Sequence, residues 1–569
     1  MIKNLSFLLP ILRESKFWFI IAIIGMIFSS LIAAPIPYFI GHIIDDVLLT
    51  SKEYTELYKT IFLISLIYFF RYLISILYQY FFSKVQQNVV NEIRISMINK
   101  IIDAPLSFLN KKEKGYILSR IAESGNVGVL FTPTFLGTFT GIFDFFFSLI
   151  IMINLSVKLT IIVLLVIPIY YFISKKSSQK MSESSLNVYE NSAILNGEIF
   201  EMLNGIEDIK LLNGKDTQIE KIKGKLKNTI KSLIKQSLNF IFFVQNIVLT
   251  NNLVTALVLL ISGVLILKDQ LTIGIYTSFS LYLTMLLATT QSLGSLEVTL
   301  KPVSISVERI KEFLTLDGEN SDNVKPFNES IETITFKDVS FKYNDHSEMI
   351  LNNFNAQITK GDKVLISGVN GSGKSTLIKL ITGLYTPQFG NILINNQDIS
   401  FLNKKSIRDR IGIVSQNIFL FKGTVLENIL YGQTDKTRDD IINVINEYKL
   451  SEYINRFDKG LDTEVVQNGS GISGGQAQII AFLRAIVKRR DLIILDEAIA
   501  NLDIETKKHI LEIIKEKELC NILLIISHQE DGLEFVNRVI QLAHKNDSVL
   551  ESQVMYEQSY SKLQKFGSA

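Results

Sequence analysis

The chain has 569 residues, and its 58 lysines and arginines nearly balance its 56 aspartates and glutamates. This balance gives no support to a nucleic-acid-binding protein that relies on bulk positive charge. Hydrophobic residues make up 47% and charged residues 20%, which is more apolar than is usual for a soluble protein. The single cysteine, Cys520, excludes an intrachain disulfide and a cysteine-based zinc site. We therefore predict a protein that lies at least partly in a membrane.

Six apolar segments occur before residue 300, and a membrane-spanning helix needs about 20 mostly apolar residues. They run from Phe17 to Val47, Ile61 to Phe82, Thr134 to Leu155, Leu159 to Ile173, Phe240 to Leu267 and Ile273 to Leu293. The fourth is the shortest, and one long hairpin dipping into the membrane is the alternative to two spans there. Two charges, Arg71 and Asp144, fall inside spans. Such charges are functional candidates, and the competing interpretation is that they pair with each other or face water.

Long, basic connections join segment 2 to segment 3 and segment 4 to segment 5. Because Lys and Arg accumulate in cytoplasmic loops, both connections and both termini are predicted to be cytoplasmic. The connections keep apolar residues at helical spacing, so we expect helices that extend beyond the bilayer. Gly115 and the stretch 204–206 are the predicted turning points. The Ile-, Lys- and Asn-rich composition favours a bacterial inner or plasma membrane.

A phosphate-binding loop is the clearest motif of the soluble part. The stretch 363–367 reads as a buried strand and is followed by G-x-x-x-x-G-K-S and then by an apolar helix pattern. Backbone N–H groups of such a loop surround phosphates at the positive end of the helix. We expect Lys374 to neutralise the β- and γ-phosphates and Ser375 to bind Mg²⁺. The predicted loop residues are Gly368, Asn370, Gly371, Gly373, Lys374, Ser375 and Thr376.

Two further motifs fit the same chemistry. The apolar stretch 492–495 precedes Asp496 and Glu497. Asp496 is expected to bind Mg²⁺ either directly or through one of the ion's water ligands, and Glu497 to polarise the attacking water. The sequence G-I-S-G-G-Q then marks the start of another helix, and a helix N-terminus is a second possible anion site. Its predicted binding residues are Ser473, Gly475 and Gln476.

With these motifs in place, the chain resembles an ATP-binding cassette transporter, specifically a half-transporter of the exporter type. The resemblance implies a multidomain membrane protein. An all-α six-helix transmembrane domain with long cytoplasmic helical extensions (1–310) precedes a linker (311–330) and an α/β P-loop NTPase cassette (331–569). It also implies ATP and Mg²⁺ as cofactors, and an ATPase coupled to movement of a substrate across the membrane.

The resemblance assigns roles to further residues. Tyr343 corresponds to the aromatic residue that stacks on adenine, and Gln416 to the glutamine that contacts Mg²⁺ and the attacking water. Asp503, in the sequence Asn-Leu-Asp, belongs to the loop that crosses the interface between two cassettes. His528 corresponds to the histidine on the γ-phosphate. The implied catalytic residues are Glu497, His528 and Gln416, and the implied metal ligands are Ser375, Gln416 and Asp496.

The resemblance also implies a partner. In the family, ATP lies between the phosphate loop of one cassette and the signature sequence of another, so we expect a dimer. Because Glu497 and His528 are both retained, a homodimer is favoured, and the intact member of a heterodimer is the alternative. The expected cargo is a drug-like compound, a peptide or a lipid, moved by alternating access among membrane lipids and without nucleic acid. A lipid flippase and an ATP-gated channel or sensor are the alternative functions.

Two departures from the family pattern stand out. The signature has Ile472 and Ala477 where Leu and Arg are usual. The segment from Val466 to Gly469 lacks the usual Glu–Arg pair, which in the family touches the cytoplasmic helices. We therefore expect the coupling between cassette and membrane domain to be weaker or differently built.

Overall fold

The structure is a computed structural model that describes residues 10, 12–112, 114–319, 324–344, 347–466, 471–498, 502–516, 519–527 and 535–542. The chain divides into two units. The first consists of Met1–Ile102 and Lys112–Leu316, and the second of Asp103–Lys111 and Asp317–Ala569. The first unit is helical, and the second contains all the described strands.

Eleven helices precede the first strand in the described part of the chain. They are α1 (Lys16–Ala33), α2 (Ile36–His42), α3 (Tyr54–Ile102), α4 (Leu106–Leu109), α5 (Lys114–Ala122), α6 (Ser124–Gly128), α7 (Pro133–Leu155), α8 (Val157–Asn204), α9 (Ile206–Leu211), α10 (Lys215–Leu267) and α11 (Ile273–Leu314). A π-helical stretch, Ile43–Ser51, continues α2, and a 3-10 turn, Val129–Phe131, precedes α7. Helix α4 belongs to the second unit.

By length and composition, six helical segments are able to cross a membrane, which confirms the predicted number of spans. They are Lys16–Ser51, Tyr54–Ile102, Lys114–Leu155, Val157–Asn204, Lys215–Leu267 and Ile273–Leu293. Ser156 separates α7 from α8, and each of these helices is long enough to span by itself, which favours two spans over one hairpin.

The two predicted turning points had different outcomes. Gly205 ends α8, as the sequence indicated. Gly115 was the wrong choice, because it lies inside α5. Helix α3 instead ends at Ile102, three residues before Pro105. Proline has no N–H to donate and restricts the residue before it, so it is the stronger helix terminator.

Helices α2 and α11 approach each other closely at two glycines. A Cβ atom added to Gly274 would lie 2.2 Å from the carbonyl oxygen of Gly41, so neither glycine has room for a larger residue. Asp45 strengthens this contact, because its carboxylate accepts hydrogen bonds from the Gly274 N–H at 2.7 Å and from the Thr272 hydroxyl at 2.5 Å. The first and last spans are therefore fastened together at this end.

The described part of the second unit contains eleven strands and seven further α-helices. The strands are β1 (Thr333–Phe341), β2 (Leu351–Thr359), β3 (Lys363–Gly368), β4 (Phe389–Ile394), β5 (Gln397–Asp398), β6 (Ile411–Val414), β7 (Gly423–Thr424), β8 (Glu464–Val465), β9 (Leu492–Asp496), β10 (Ile522–Ile526) and β11 (Arg538–Leu542). The helices are α12 (Lys374–Ile381), α13 (Lys404–Arg408), α14 (Val425–Ile429), α15 (Arg438–Glu447), α16 (Ser451–Asn455), α17 (Gly474–Ile486) and α18 (Ile504–Glu516).

A parallel sheet in the order β11–β3–β10–β9–β6 forms the centre of this unit, beside an antiparallel sheet in the order β2–β1–β4–β5. Strands β9 and β10 are buried throughout, which explains their continuous apolar sequences. Ile526 pairs with Ile366 on one side and with Asp496 on the other. The carboxyl ends of β3, β9 and β10 therefore meet at one edge. The predicted fold class, a helical transmembrane domain followed by an α/β cassette, is confirmed.

Candidate nucleotide-binding site

The phosphate loop connects β3 to α12. Gly371 and Gly373 have φ angles of 83° and 101°, in the left-handed region that glycine adopts readily because it has no Cβ. The Lys374 amine donates hydrogen bonds to the carbonyl oxygens of Gly368 at 2.7 Å and Val369 at 3.0 Å. The lysine is thus held within the loop, at the end of α12 whose free N–H groups suit an anion.

Ser375 and Asp496 meet beside this lysine. Asp496 ends β9, is buried, and forms a hydrogen bond with the Ser375 hydroxyl. Burial and the negative charge of Glu497 raise the pKa of Asp496, against the opposing effect of Lys374. Burial also lowers the pKa of Lys374, which the two carboxylates oppose. The site therefore concentrates opposite charges in partly desolvated surroundings.

These donors fit Mg²⁺, which binds oxygen and commonly takes one or two protein carboxylates together with waters and phosphate oxygens. Within the described part of the chain, no group of three or more His, Cys, Asp or Glu side chains is placed to hold a metal. The hydroxyl of Ser375 and the carboxylate of Asp496 suit an ion that is shared with a bound phosphate.

Glu497 has an unusual backbone conformation. Its φ angle is 50°, a left-handed value that is strained for a residue with a side chain and is found more often at functional sites. Its N–H donates to the carbonyl oxygen of Ile526 at 3.0 Å. Its carboxylate accepts a hydrogen bond from the Gln416 amide at 2.6 Å. Residues on or following β6, β9 and β10 thus fix the position of this carboxylate.

Tyr343 lies close to the start of α12. Its hydroxyl oxygen is 3.1 Å from the Thr376 hydroxyl oxygen and accepts a hydrogen bond from the Lys379 amine at 3.3 Å. Its ring packs edge-on against Phe341 and Tyr385, with centroid distances of 5.0 Å and 5.2 Å. An aromatic side chain is therefore held near the phosphate loop, where stacking on a base is predicted.

The signature turn begins α17. The Ser473 hydroxyl accepts a hydrogen bond from the Gln476 N–H at 3.2 Å, and the Gln476 side chain accepts one from the Ser473 N–H at 2.9 Å. This reciprocal arrangement is a capping box. Gly475 lies in the first turn of the helix.

The structure brings together Lys374, Ser375, Asp496, Glu497 and Gln416, but it does not bring the signature turn to them. Tyr343 packs against a core formed by the antiparallel sheet, one face of the parallel sheet and α12. The signature turn packs against a second core, formed by the other face of the parallel sheet and the helices around α17. Within the described residues, no hydrogen bond or ion pair joins the phosphate loop to the signature turn. His528 and Asn501 lie outside the described residues.

Asp503 is connected to the signature turn through Arg456. The Asp503 carboxylate accepts hydrogen bonds from the N–H and hydroxyl of Thr506 at 2.9 Å and 2.8 Å, and these bonds lower its pKa. Arg456 donates to the same carboxylate at 3.1 Å, while its backbone carbonyl accepts from Gln476 at 3.1 Å. One residue therefore contacts both predicted interface elements.

Sequence reasoning missed Arg456, Lys379 and Tyr385. No sequence motif identifies Arg456, because a charged residue near a helix end is usually exposed to solvent and has no specific role. Lys379 was easier to find, since it lies three residues after Thr376 and therefore shares a helical face with it. Tyr385 follows α12 in a loop, where an aromatic residue carries no motif.

The altered residues of the signature have a structural explanation. Both Ile472 and Ala477 pack against the apolar core around α17. The preceding β8 pairs with β7, with Val465 opposite Gly423. The changed segment from Gln467 to Ser470 lies outside the described residues.

Comparisons with known proteins agree with this architecture. Residues 19–290 match the ABC transporter transmembrane region, and residues 351–500 match the ABC transporter family. The chain therefore belongs to the ABC transporters, and it joins one membrane region to one cassette, as an exporter-type half-transporter does. It is a multi-pass membrane protein with an ATP-hydrolysing cassette.

Individual relatives extend this likeness over most of the chain. The uncharacterized ABC transporter ATP-binding protein YknV of Bacillus subtilis is 29% identical over 92% of this chain and 87% of its own length. An ATP-dependent lipid A-core flippase of Vibrio vulnificus is 25% identical over 83% and 81%, respectively. A bacterial Atm1-family ABC exporter with ATP bound has the same fold, with a TM-score of 0.84, 21% identity and 94% coverage of both chains.

Proposed function

We propose that the chain is one half of a homodimeric exporter that uses ATP hydrolysis to move an amphipathic cargo out of a bacterial cell. One observation carries this proposal. The chain has one phosphate loop and one signature turn, and they pack against separate cores. An ATP molecule held between these two kinds of element needs the signature turn of a second copy.

On this proposal, the residues around the phosphate loop have distinct roles. Lys374 and the backbone N–H groups of the loop hold the phosphates, and Tyr343 stacks on the adenine. Ser375, Asp496 and Gln416 hold Mg²⁺, which when bound would offset the negative charge of the phosphates.

Glu497 is the proposed general base. The hydrogen bond from Gln416 orients its carboxylate, and the bond from its N–H to Ile526 fixes the main chain that carries it. A carboxylate held in this way is able to accept the proton of an attacking water while the water oxygen forms a bond to the γ-phosphorus. The bond from that phosphorus to the oxygen bridging the β-phosphate breaks, and ADP and phosphate are released. His528 keeps its predicted role as a contact of the γ-phosphate.

The long helices are the proposed route from hydrolysis to transport. Helix α10 has 53 residues, which corresponds to about 80 Å, whereas the hydrocarbon core of a bilayer is about 30 Å thick. Closing and opening of two cassettes would therefore be carried through rigid helices to the spans. ATP favours the closed state by as much as its affinity differs between the two states.

A second copy also explains an exposed apolar tip on the connection between the fourth and fifth spans. Leu211 is 73% exposed and Leu212 is 79% exposed, although this part of the chain is rich in lysine and predicted to be cytoplasmic. Burial of such side chains against a partner subunit is favourable, at about 25 cal/mol per Å². We place the partner's cassette there.

The proposed setting is an inner or plasma membrane, with the cassette and both termini in the cytoplasm. The Lys- and Arg-rich connections support this orientation. The proposed domain limits are 1–310 for the membrane domain and 331–569 for the cassette, with a linker between them.

The dimer is tested by trapping ATP on the purified full-length protein. The Glu497→Gln variant, with ATP and Mg²⁺, is expected to have the mass of a dimer of the 64.5 kDa chain once detergent is subtracted. If the wild-type protein is a monomer and still hydrolyses ATP at its full rate, the proposal is contradicted. A dimer that appears only with a different protein would support the heterodimer.

Lipid flipping is the second candidate function, because the Vibrio relative is named as a lipid A-core flippase. Proteoliposomes with fluorescently labelled lipids separate the two candidates. ATP-dependent movement of the label between leaflets favours a flippase, and uptake of a soluble amphiphile into inside-out vesicles without lipid movement favours the exporter.

A further inference from the structure

An acidic residue lies in the middle of the third span. Asp144 is eleven residues after the start of α7 at Pro133 and eleven before its end at Leu155, so it is about 17 Å from either end of the helix. A carboxylate at this depth is unfavourable unless it has a partner or contacts water or a ligand. The side chains around Asp144 therefore show whether the carboxylate is paired within the protein or is left for a ligand.

The partner of Asp144 is neutral. The Ser30 hydroxyl of α1 donates a hydrogen bond to the Asp144 carboxylate. Within the described residues, Asp144 forms no ion pair with Lys, Arg or His, so it does not pair with Arg71, which was one of the alternatives that the sequence left open. A hydroxyl orients a carboxylate but brings no positive charge to it, so a cationic ligand would not have to compete with a protein cation at this position.

A second polar group lies on the same face of α7. Ser148 follows Asp144 by four residues, and residues at this spacing are neighbours on a helix. Its hydroxyl is fully buried and has no hydrogen-bond partner in the described part of the chain. A buried hydroxyl without a partner is costly, which favours a ligand or water that completes its hydrogen bonding.

One aromatic residue, Phe147, also lies on this face. Phe147 follows Asp144 by three residues, so it lies on the same side of the helix, and both side chains are only half-buried. Carboxylates attract cations by charge, and aromatic rings attract them through the negative faces of their π systems. A face that carries both suits a ligand with a positive charge and an apolar body.

Three spans surround this position. Ser30 belongs to α1, and Asp144 belongs to α7. One turn before Asp144, an added Cβ on Gly141 would lie 3.0 Å from Thr289 of α11. The carboxylate therefore lies where α1, α7 and α11 approach one another, rather than on an isolated lipid-facing helix.

We propose that Asp144 recognises the cargo and that the cargo is an amphiphile with a positive charge. Ser30 orients the carboxylate, Ser148 offers a hydroxyl, and Phe147 contacts the apolar part of the ligand. This inference names the cargo class of the proposed exporter and therefore rests on that function.

Two ions of nearly equal size and opposite charge test the proposal: tetraphenylphosphonium and tetraphenylborate. Binding is measured on the full-length protein in lipid nanodiscs without nucleotide, and binding to empty nanodiscs is subtracted. The wild type is expected to bind the phosphonium more tightly than the borate. Asp144→Asn is expected to weaken phosphonium binding at least about tenfold, because it removes one partly desolvated charge pair.

The variants separate charge from packing. Asparagine still accepts a hydrogen bond from Ser30, and Asp144→Glu keeps the charge, so the glutamate variant is expected to retain most of the preference for the phosphonium. Asp269→Asn removes a carboxylate from the loop between α10 and α11 and is expected to leave binding unchanged. Equal phosphonium affinity for wild type and Asp144→Asn, or equal affinity of the wild type for both ions, would overturn the proposal.

The outcome is independent of hydrolysis. Glu497→Gln is expected to bind the phosphonium like the wild type. If phosphonium binding depends on Asp144 while ATP-driven uptake of the phosphonium into inside-out vesicles is absent, the cation site stands and the export function fails. If uptake proceeds equally well in Asp144→Asn, export stands and the cation site fails.

Discussion

The cassette and the membrane unit carry their functional residues in different ways. In the cassette, the phosphate loop is one continuous stretch, 368–376, because backbone N–H groups of a single turn are able to surround a phosphate. In the membrane unit, the polar groups of the proposed cargo site come from separate helices: Ser30 from α1, and Asp144 and Ser148 from α7. A site formed by the backbone of one loop is recognisable as a sequence motif, whereas a site formed by side chains from distant parts of the chain is not.

The sharpest test of the cassette is Glu497→Gln. The variant should bind ATP but hydrolyse it at least about 100-fold more slowly, because the amide is unable to accept the proton from water. Steady-state release of phosphate and equilibrium nucleotide binding measure the two effects.

Glu512→Gln is a suitable control, since Glu512 lies on α18 and no role is proposed for it. This control should hydrolyse ATP at the wild-type rate. Normal ATP turnover in Glu497→Gln would show that Glu497 is not the general base, and the catalytic assignment in the cassette would then be wrong.

The same contrast explains how far the sequence could be interpreted. The spans were predictable because a bilayer requires long apolar helices, and the two buried strands at 363–367 and 492–495 because burial on both faces requires apolar runs. The turn at Gly115 was mispredicted because glycine tolerates a helix, while Pro105 was the true signal.

In contrast, the sequence did not predict which helices contact each other. Ser30 and Asp144 are 114 positions apart in the chain, and hydrophobicity alone does not say which faces of two spans meet. Arg71 was the natural candidate partner by charge, and packing placed a serine there instead. In the cassette, the contact of Arg456 with Asp503 was hidden for the same reason.

The membrane unit is tested by Gly274→Ala. The new methyl group would clash with the Gly41 carbonyl, so a loss of about 1–3 kcal/mol in stability is expected from overpacking. The measurement is the temperature at which half of the detergent-solubilised protein loses its size-exclusion peak. ATP affinity should stay unchanged, because the cassette forms its own unit.

Gly263→Ala provides the matched control. Gly263 is also in a long helix, α10, but an added Cβ there meets no atom within 4 Å. Since alanine is the better helix former, this variant should be as stable as the wild type or slightly more stable. Equal losses in both variants would show that the approach of α2 and α11 does not limit stability.

A smaller effect is expected at Arg456, which links the signature turn to Asp503 within the cassette. Arg456→Gln should lower the ATPase rate about two- to fivefold, the scale of a partly exposed charged contact. In a double-mutant cycle with Asp503→Asn, the two losses should not add, because they remove the same bond.

Arg438 forms a comparable contact with Asp462, at 2.8 Å and 2.7 Å, but it touches neither interface element in the described residues. Arg438→Gln should therefore leave the ATPase rate unchanged. A rate loss at Arg438 as large as that at Arg456 would indicate a general effect of removing surface arginines.

The smallest expected effect concerns the connection between the two regions. The altered segment from Val466 to Gly469 lacks the Glu–Arg pair that is usual in the family. Transported amphiphiles should therefore stimulate the ATPase only modestly, and the double variant Gln467→Glu/Asn468→Arg should increase that stimulation while leaving the basal rate nearly unchanged. Each single variant supplies one charge without its partner and serves as the control. Strong stimulation of the wild type would instead mean that the membrane unit reaches the cassette without this charged pair, in which case the helical extensions alone transmit the signal.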